Sequence, residues 1–199
     1  MLTKLKKKVQ SWITTEAKLA QNIGLTPNRV SALGMIFAAF SAIAYAYAQF
    51  HLLIFVAAPI LLLVSGFCDA LDGAIARIHG KTTTFGTFLD SMLDRIADAA
   101  ILSGIVLGGL CDLRWGLIAL IGSLMVSYAR ARAEALGVEM EAVGVAERAE
   151  RLIILAVASF LSLIWLETLY WGVIVLALLS SLTVLQRMVH FLRASKSRE

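Results

Sequence analysis

This chain of 199 residues has unusually little charge. Asp, Glu, Lys and Arg make up 16% of it, and none of them occurs between Val30 and Cys68. Ordinary soluble domains contain roughly 25% charged residues. A membrane-spanning helix needs about 20 mostly apolar residues, so the uncharged stretch is too long for one such helix and fits two. The sequence therefore predicts an integral membrane protein.

Cysteine is also scarce, and its two positions exclude further classes. Cys68 and Cys111 have no metal-ligand spacing and no obvious partner, so we expect no disulfide.

The lysine-rich start of the chain has no apolar core of signal-peptide length and no small-residue cleavage site. We therefore expect no signal peptide.

The first 22 residues combine lysines with apolar side chains at helical spacing. The apolar positions are Leu2, Leu5, Val9, Trp12 and Ile13. This pattern predicts an amphipathic helix over residues 1–22 that lies on an anionic membrane surface. A solvated basic tail is the alternative.

The remaining apolar runs predict an all-α fold in a single domain over residues 1–199. A bundle of six transmembrane helices would occupy residues 27–193, and its first two helices would divide near "YAQFHLL". The other four are expected at about 84–108, 115–136, 147–165 and 170–191. The segments "GGLCDLRWG" and "GVEMEAVGVAE" would form the turn and the polar connection between them.

The distribution of lysine and arginine predicts the orientation. Six crossings put both termini on one side, and nearly all the basic residues then fall on that side, with Arg114 as the exception. Because cytoplasmic loops carry an excess of Lys and Arg, both termini should be cytoplasmic. We expect a multi-pass protein of the cell membrane.

Four aspartates interrupt the apolar pattern: Asp69, Asp72, Asp90 and Asp94. The first two are three residues apart and the last two are four apart, so each pair shares one face of its helix. The polar turn "HGKTTT" between the pairs predicts antiparallel neighbouring helices, with both pairs about 12 to 15 Å from the turn. The four carboxylates should therefore face one another in the cytoplasmic half of the bilayer.

Such a cluster must be neutralised by protons or by metal ions. Carboxylates without histidine or thiolate suit Mg²⁺, Mn²⁺ or Ca²⁺. Four are enough for two ions, an arrangement that serves phosphoryl transfer. Protonated aspartates that only pack helices together are the alternative, but ionisable residues inside membranes usually have a function.

The residues around the aspartates suggest access for a bulky ligand. Small side chains around the aspartates let a ligand or another backbone approach the helices closely; they are those of Gly73, Ala74, Ala76 and Gly86. Arg77 follows Asp72 on the same helix and could pair with a phosphate or with an aspartate.

The segment from Asp69 to Asp94 reproduces the pattern D-x2-D-G-x2-A-R-x8-G-x3-D-x3-D without a departure. It resembles the signature of the CDP-alcohol phosphotransferases, in which an acceptor hydroxyl attacks a CDP-linked lipid and CMP leaves. The resemblance implies that Asp69, Asp72 and Asp90 bind metal, Mg²⁺ or Mn²⁺, as two ions. It implies that Asp94 lies near the second ion and is the general base. It also implies a homodimer.

The same resemblance implies a binding region for the CDP-lipid. It would comprise Pro27, Asn28 and Ser31 near the start of the first helix, together with Asp69, Gly73, Ala76, Arg77 and Gly86. From the residues alone, "LTPNRVS" is adequately explained as a helix start, because Thr26 is a good N-cap and Pro27 a good first residue.

Four arginines flank the polar connection: Arg130, Arg132, Arg148 and Arg151. Forked guanidinium groups near a metal site suit an anionic acceptor. Positive-inside anchoring is the alternative, although Glu134, Glu147 and Glu150 lie among these arginines.

The segments "RARAEA" and "ERAERLII" resemble the phosphatidylinositol phosphate synthases of actinobacteria and the archaetidylinositol phosphate synthases of archaea. That resemblance implies inositol 1-phosphate as the acceptor and CDP-diacylglycerol or CDP-archaeol as the donor. Glycerol 3-phosphate is the alternative acceptor, as in phosphatidylglycerophosphate synthases. A divalent-cation transporter is a remote alternative, since Arg77 and the four arginines would repel cations. We expect no nucleic-acid partner.

Overall fold

The part of the chain that the structure describes is helical throughout. The computed structural model describes residue 17, residues 26–79 and residues 83–196. Within these it contains six α-helices and one 3₁₀ helix, in the order α1 (Pro27–Ala46), a 3₁₀ turn (Ala48–Phe50), α2 (Leu52–His79), α3 (Thr84–Leu107), α4 (Leu113–Ala135), α5 (Arg148–Leu161) and α6 (Thr168–Lys196). The all-α class is confirmed.

Two predicted features lie outside the described residues. The amphipathic helix over residues 1–22 falls there, apart from the isolated Ala17, and so does the centre of the "HGKTTT" turn at residues 80–82. The amphipathic surface helix therefore stays a prediction.

Three of the six described helices, α1, α2 and α6, are long and apolar enough to cross a membrane. The fold thus has several apolar helices consistent with a membrane protein. Helices α3 and α4 have 24 and 23 residues but include charged side chains. Helix α5 has 14 residues, or about 21 Å, which is less than the roughly 30 Å of a hydrocarbon core.

Helix α5 ends several residues before the position expected from the apolar run 147–165. The Ser162 hydroxyl donates to the carbonyl of Ala158 at 2.9 Å and accepts from the amide of Leu169 at 2.7 Å. One side chain thus contacts the end of α5 and the start of α6. The predicted end, about residue 165, differs from the observed end at Leu161 because hydropathy does not register this local hydrogen bonding.

The helices pack in a ring. Helix α1 packs against α2 and α3, α3 against α4, α4 against α6, α6 against α5, and α5 against α2. Within the described residues, α2 and α3 do not pack closely against each other, although the sequence predicted them as direct neighbours. The two aspartate-bearing helices are therefore connected mainly through α1.

Small residues bring α1 close to both of these helices. A Cβ atom on Gly34 of α1 would lie 3.1 Å from the Cβ of Cys68 on α2. A Cβ on Gly104 of α3, or on Gly108 just after α3, would lie 2.2 Å from the carbonyl oxygen of Ala42 or Tyr45, respectively. Glycine at these positions permits backbone contact between the helices.

The connection between α4 and α5 is fixed against α6. The Thr183 hydroxyl accepts from the amide of Ala146 at 3.1 Å, and Arg187 Nε donates to the carbonyl of Val143 at 2.9 Å. Gly144 has a φ of 123° and lies where a Cβ would be 2.3 Å from Thr183 Cγ2, so a side chain there would be strained and crowded. These contacts hold the start of α5 in place.

Replacing Gly104 by alanine should destabilise the protein. The added methyl group would meet the backbone of α1, which cannot rotate away, so we expect a loss of about 3 kcal/mol in the free energy of unfolding. Gly66→Ala is a matched control, because its Cβ would meet only the flexible Leu152 Cδ1 at 3.1 Å. Thermal denaturation in detergent checks this, and equal melting temperatures for the two variants would contradict it.

Candidate active site

The aspartates of α2 and α3 meet at one end of the ring. One carboxylate oxygen from each of Asp69, Asp72 and Asp90 lies within 4.8 Å of the other two. Asp72 is 5% exposed, and the other two are partly buried. The predicted convergence of the two helices' carboxylates is therefore present, although the helices themselves do not pack closely.

Local sequence fixes both sides of this cluster. Asp69 and Asp72 lie in the continuous helix α2, one turn apart, so they face the same direction. Helix α3 begins at Thr84 because the Thr83 hydroxyl caps it, accepting from the amide of Gly86 at 3.0 Å. A side chain on Gly86 would lie 2.9 Å from that hydroxyl, so glycine there protects the cap that sets the position of Asp90.

The cluster has the donor set of a hard divalent cation. It offers only carboxylate oxygens, which Mg²⁺ and Mn²⁺ prefer. Opposite ligands of Mg²⁺ are about 4.2 Å apart, so oxygens within 4.8 Å of one another need only small movements to share an ion. A cavity of about 20 Å³ lined by these aspartates, Asp94 and Arg148 has room for an ion. The residues present fit a divalent metal.

Ser31 of α1 orients one of these carboxylates. Its hydroxyl lies 2.5 Å from Asp72 Oδ2 and 3.1 Å from the carbonyl of Pro27. The sequence selected Ser31 as a candidate for nucleotide contact, and the structure places it against the metal-ligand candidate Asp72.

Arg148 enters the cluster from α5. Its Nη1 lies 2.6 Å from Asp69 Oδ2 and 2.8 Å from Asp94 Oδ1, and its Nε donates to Asp98 Oδ1 at 3.2 Å. Among the described residues Nη1 has no partner in hydrogen-bond geometry, so its two short contacts are ion pairs rather than aligned hydrogen bonds. One guanidinium therefore touches carboxylates from both α2 and α3.

Asp98 is a residue that the sequence reasoning missed. It is 8% exposed, and its second oxygen, Oδ2, accepts from Arg151 Nη2 at 2.8 Å. Arg151 is 3% exposed and also donates from Nη1 to the carbonyl of Ala146 at 3.3 Å. The signal was available, because Asp98 follows Asp94 by four residues and so continues the aspartate face of α3.

The structure separates the four predicted acceptor-binding arginines into two groups. Arg148 lies in the aspartate cluster, and Arg151 lies directly behind it. Arg130 and Arg132 lie at the end of α4, where Arg130 pairs with Glu134 at 2.8 Å and Arg132 is exposed. No role in the site was predicted for Arg187, which is 3% exposed and donates to the backbone carbonyls of Val143 and Val126.

The other predicted CDP-lipid contacts lie on the α1 and α2 sides of the cluster. Pro27 is the first residue of α1 and Asn28 is exposed beside it, while the side chain of Thr26 makes no cap hydrogen bond. Gly73 and Ala76 are partly buried on α2, and Arg77 is exposed. The Arg77 guanidinium lies over Gly73, where a Cβ would be 3.4 Å from Arg77 Nη1.

Apolar helices that enclose a cluster of carboxylates are typical of membrane proteins that bind divalent cations. The family profile of the CDP-alcohol phosphatidyltransferases matches residues 24–185, and the chain belongs to that family. It is therefore a transferase by family.

Two archaeal relatives resemble nearly the whole chain. An archaetidylinositol phosphate synthase of Pyrococcus horikoshii is 42% identical over 189 residues, which cover 94% of each chain. An archaetidylinositol phosphate synthase of Methanothermobacter thermautotrophicus is 43% identical over 175 residues, which cover 86% of each.

A solved structure shares the fold. The phosphatidylinositol phosphate synthase PgsA1 of Mycobacterium tuberculosis, with CDP-DAG bound, superposes with a TM-score of 0.77 at 32% identity and covers 90% of this chain and 92% of its own. A second crystal structure of PgsA1, in complex with manganese and citrate, also has a TM-score of 0.77 and covers 90% of this chain and 88% of its own.

Ser31→Ala should weaken metal binding. Loss of a hydrogen bond that orients a ligand commonly costs about 10- to 100-fold in metal affinity, so we expect at least a 10-fold weaker Mn²⁺ affinity. The matched control is Ser41→Ala, which removes another α1-to-α2 hydrogen bond, to the carbonyl of Ala58. Electron paramagnetic resonance of free Mn²⁺ during titration measures both, and unchanged affinity in Ser31→Ala would contradict the orienting role.

Proposed function

We propose that the protein transfers a phosphatidyl-type group from a CDP-linked lipid to inositol 1-phosphate and releases CMP, as a step in phospholipid biosynthesis. The observation that carries the proposal is the contact of Arg148, from the segment "ERAERLII", with Asp69 and Asp94 of the aspartate motif. The aspartate signature of the CDP-alcohol phosphotransferases and the segment "ERAERLII", which resembles the inositol phosphate synthases, therefore meet in one site. The names of the archaeal relatives and of PgsA1 support the same reaction.

The donor would be CDP-archaeol or CDP-diacylglycerol. Archaeal relatives support the first, and the CDP-DAG complex of PgsA1 supports the second. We assign the nucleotide and its phosphates to Pro27, Asn28 and Ser31 of α1, and to Asp69, Gly73, Ala76, Arg77 and Gly86 around the cluster. Exposed Arg77 is free to turn toward a phosphate, because glycine at position 73 leaves space beside it.

Asp69, Asp72 and Asp90 would hold the metal, Mg²⁺ or Mn²⁺, with Asp94 near a second ion. When bound, such ions neutralise the phosphate oxygens and make the phosphorus more electrophilic. In this assignment Asp94 takes the proton from the acceptor hydroxyl, and the oxygen of that hydroxyl bonds to the lipid-side phosphorus. The bond from that phosphorus to the CMP oxygen then breaks.

The acceptor phosphate would bind on the arginine side of the cluster. Arg148 is the best-placed group, since it already lies 2.8 Å from the proposed base Asp94. Arg130 and Arg132 would approach from the end of α4, and Arg151 would add positive charge from behind. Forked guanidinium donors match a phosphate dianion better than an uncharged hydroxyl group.

We further propose that all six helices lie in the cell membrane, with both termini and the site on the cytoplasmic side. The apolar character of α1, α2 and α6 supports membrane insertion. The arginines of α4, α5 and α6 share one end of the ring with the aspartates, as the positive-inside rule requires of a cytoplasmic end. We expect the protein to act as a homodimer, with residues 1–22 on the membrane surface.

The acceptor is tested with purified protein, CDP-lipid and Mg²⁺. We expect CMP release with inositol 1-phosphate and not with free inositol or serine, because the arginines need an anion. Glycerol 3-phosphate is the competing acceptor, and faster turnover with it would replace inositol 1-phosphate in the proposal. Asp69→Asn is the inactive control. Comparable rates with free inositol would contradict both the arginine assignment and the substrate.

Asp94→Asn should lower turnover while CDP-lipid binding is retained. Loss of a general base commonly costs about 10²- to 10⁴-fold in rate. The amide keeps the shape of the side chain but cannot take the proton. Single-turnover CMP release with saturating inositol 1-phosphate measures the chemical step, and Asp112→Asn in the turn before α4 is the control. Wild-type turnover in Asp94→Asn would exclude Asp94 as the base.

A further inference from the structure

We propose that Asp98 is the positioning residue for the acceptor: its carboxylate fixes the direction in which Arg148 presents its guanidinium to the site. This inference rests on the proposed function and names a residue outside the aspartate motif. It follows from how two arginines of α5 share one carboxylate of α3.

Each oxygen of Asp98 binds a different arginine. Oδ1 accepts from Arg148 Nε at 3.2 Å, and Oδ2 accepts from Arg151 Nη2 at 2.8 Å. Because Asp98 is 8% exposed and Arg151 is 3% exposed, water does not compete for these contacts. The two arginines therefore hold both oxygens of the carboxylate.

The contact at Nε determines where the rest of Arg148 points. A guanidinium is planar and rigid, so a contact that holds Nε limits the directions in which both Nη atoms can point. In this structure Nη1 is held between Asp69 Oδ2 and Asp94 Oδ1, beside the proposed base. Asp98 thus holds Nε of Arg148, while Nη1 lies among the carboxylates of the proposed site.

Arg151 supports this arrangement from the other side. It joins Asp98 to the carbonyl of Ala146, the second residue before α5, at 3.3 Å. Its role in the inference is to keep the Asp98 carboxylate oriented, so it acts on the acceptor through Asp98 and Arg148. Because Asp98 acts on the acceptor only through Arg148, we call it a positioning residue rather than a catalytic one.

The test compares Asp98→Asn with the wild-type enzyme in steady-state assays of both substrates. The amide replaces one of the two accepting oxygens by an NH₂ group, which only donates, so one of the two guanidinium groups loses its partner and Arg148 is no longer held as in the wild-type enzyme. A lost charge-assisted contact commonly corresponds to about 10- to 100-fold in binding, so we expect KM for inositol 1-phosphate to rise by that factor. KM for the CDP-lipid should change less than about 2-fold on the same reasoning, and Asp98→Glu, which keeps the charge, should recover part of the loss.

A second variant separates positioning from general destabilisation. Arg148→Lys removes Nε and with it the contact to Asp98, so adding Asp98→Asn to Arg148→Lys should change the acceptor KM little further. Independent structural damage would instead give effects that multiply in the double variant. Melting temperatures in detergent confirm that each variant is folded, and Asp112→Asn is the carboxylate control at the opposite end of α3.

Four results would overturn the inference. If the wild-type enzyme is active and Asp98→Asn has an unchanged KM for the acceptor, Asp98 does not position Arg148. The proposed function is then unaffected. Equal increases in both substrates' KM, or multiplicative effects in the double variant, assign Asp98 a structural role only. Absence of turnover by the wild-type enzyme with every phosphorylated acceptor rejects the proposed function, and this inference with it.

Discussion

The site depends on one guanidinium, that of the partly buried Arg148. Arg148 of α5 contacts Asp69 of α2 and both Asp94 and Asp98 of α3. Helices α2 and α3 do not pack closely against each other in the described residues, so this side chain bridges them directly. An aspartate left unpaired at such depth would pay a large desolvation penalty. The same positive charge thus stabilises the assembled cluster and lies where an anionic acceptor would bind.

Close packing around α1 makes this bridge possible. Gly34, Gly104 and Gly108 let α1 approach α2 and α3 backbone to backbone, which brings carboxylates from two separated helices within 4.8 Å of one another. On the far side of the ring, Thr183 and Arg187 of α6 fix the connection that precedes Arg148. The small residues therefore bring the aspartates together, and the contacts of α6 hold the connection that positions Arg148.

Local patterns predicted the helices and the aspartates. The spacing of Asp69, Asp72, Asp90 and Asp94 places each pair on one helix face, and that geometry needs no knowledge of the rest of the fold.

The order of helices around the ring could not be predicted, because it depends on contacts such as Gly104 with Ala42 that join distant parts of the chain. For the same reason the sequence placed Arg148 and Arg151 together with Arg130 and Arg132. Only the tertiary contact with Asp98 divides the four into two groups.

The central claim is that Asp69, Asp72 and Asp90 hold a divalent cation directly beside Arg148. Anomalous diffraction at the manganese edge, from crystals grown with Mn²⁺, tests it most directly, because it locates the ion without reference to activity. The account predicts anomalous density among the carboxylates of these three aspartates, and its loss in crystals of Asp72→Asn. Manganese bound only elsewhere, or density that persists unchanged in Asp72→Asn, would contradict it.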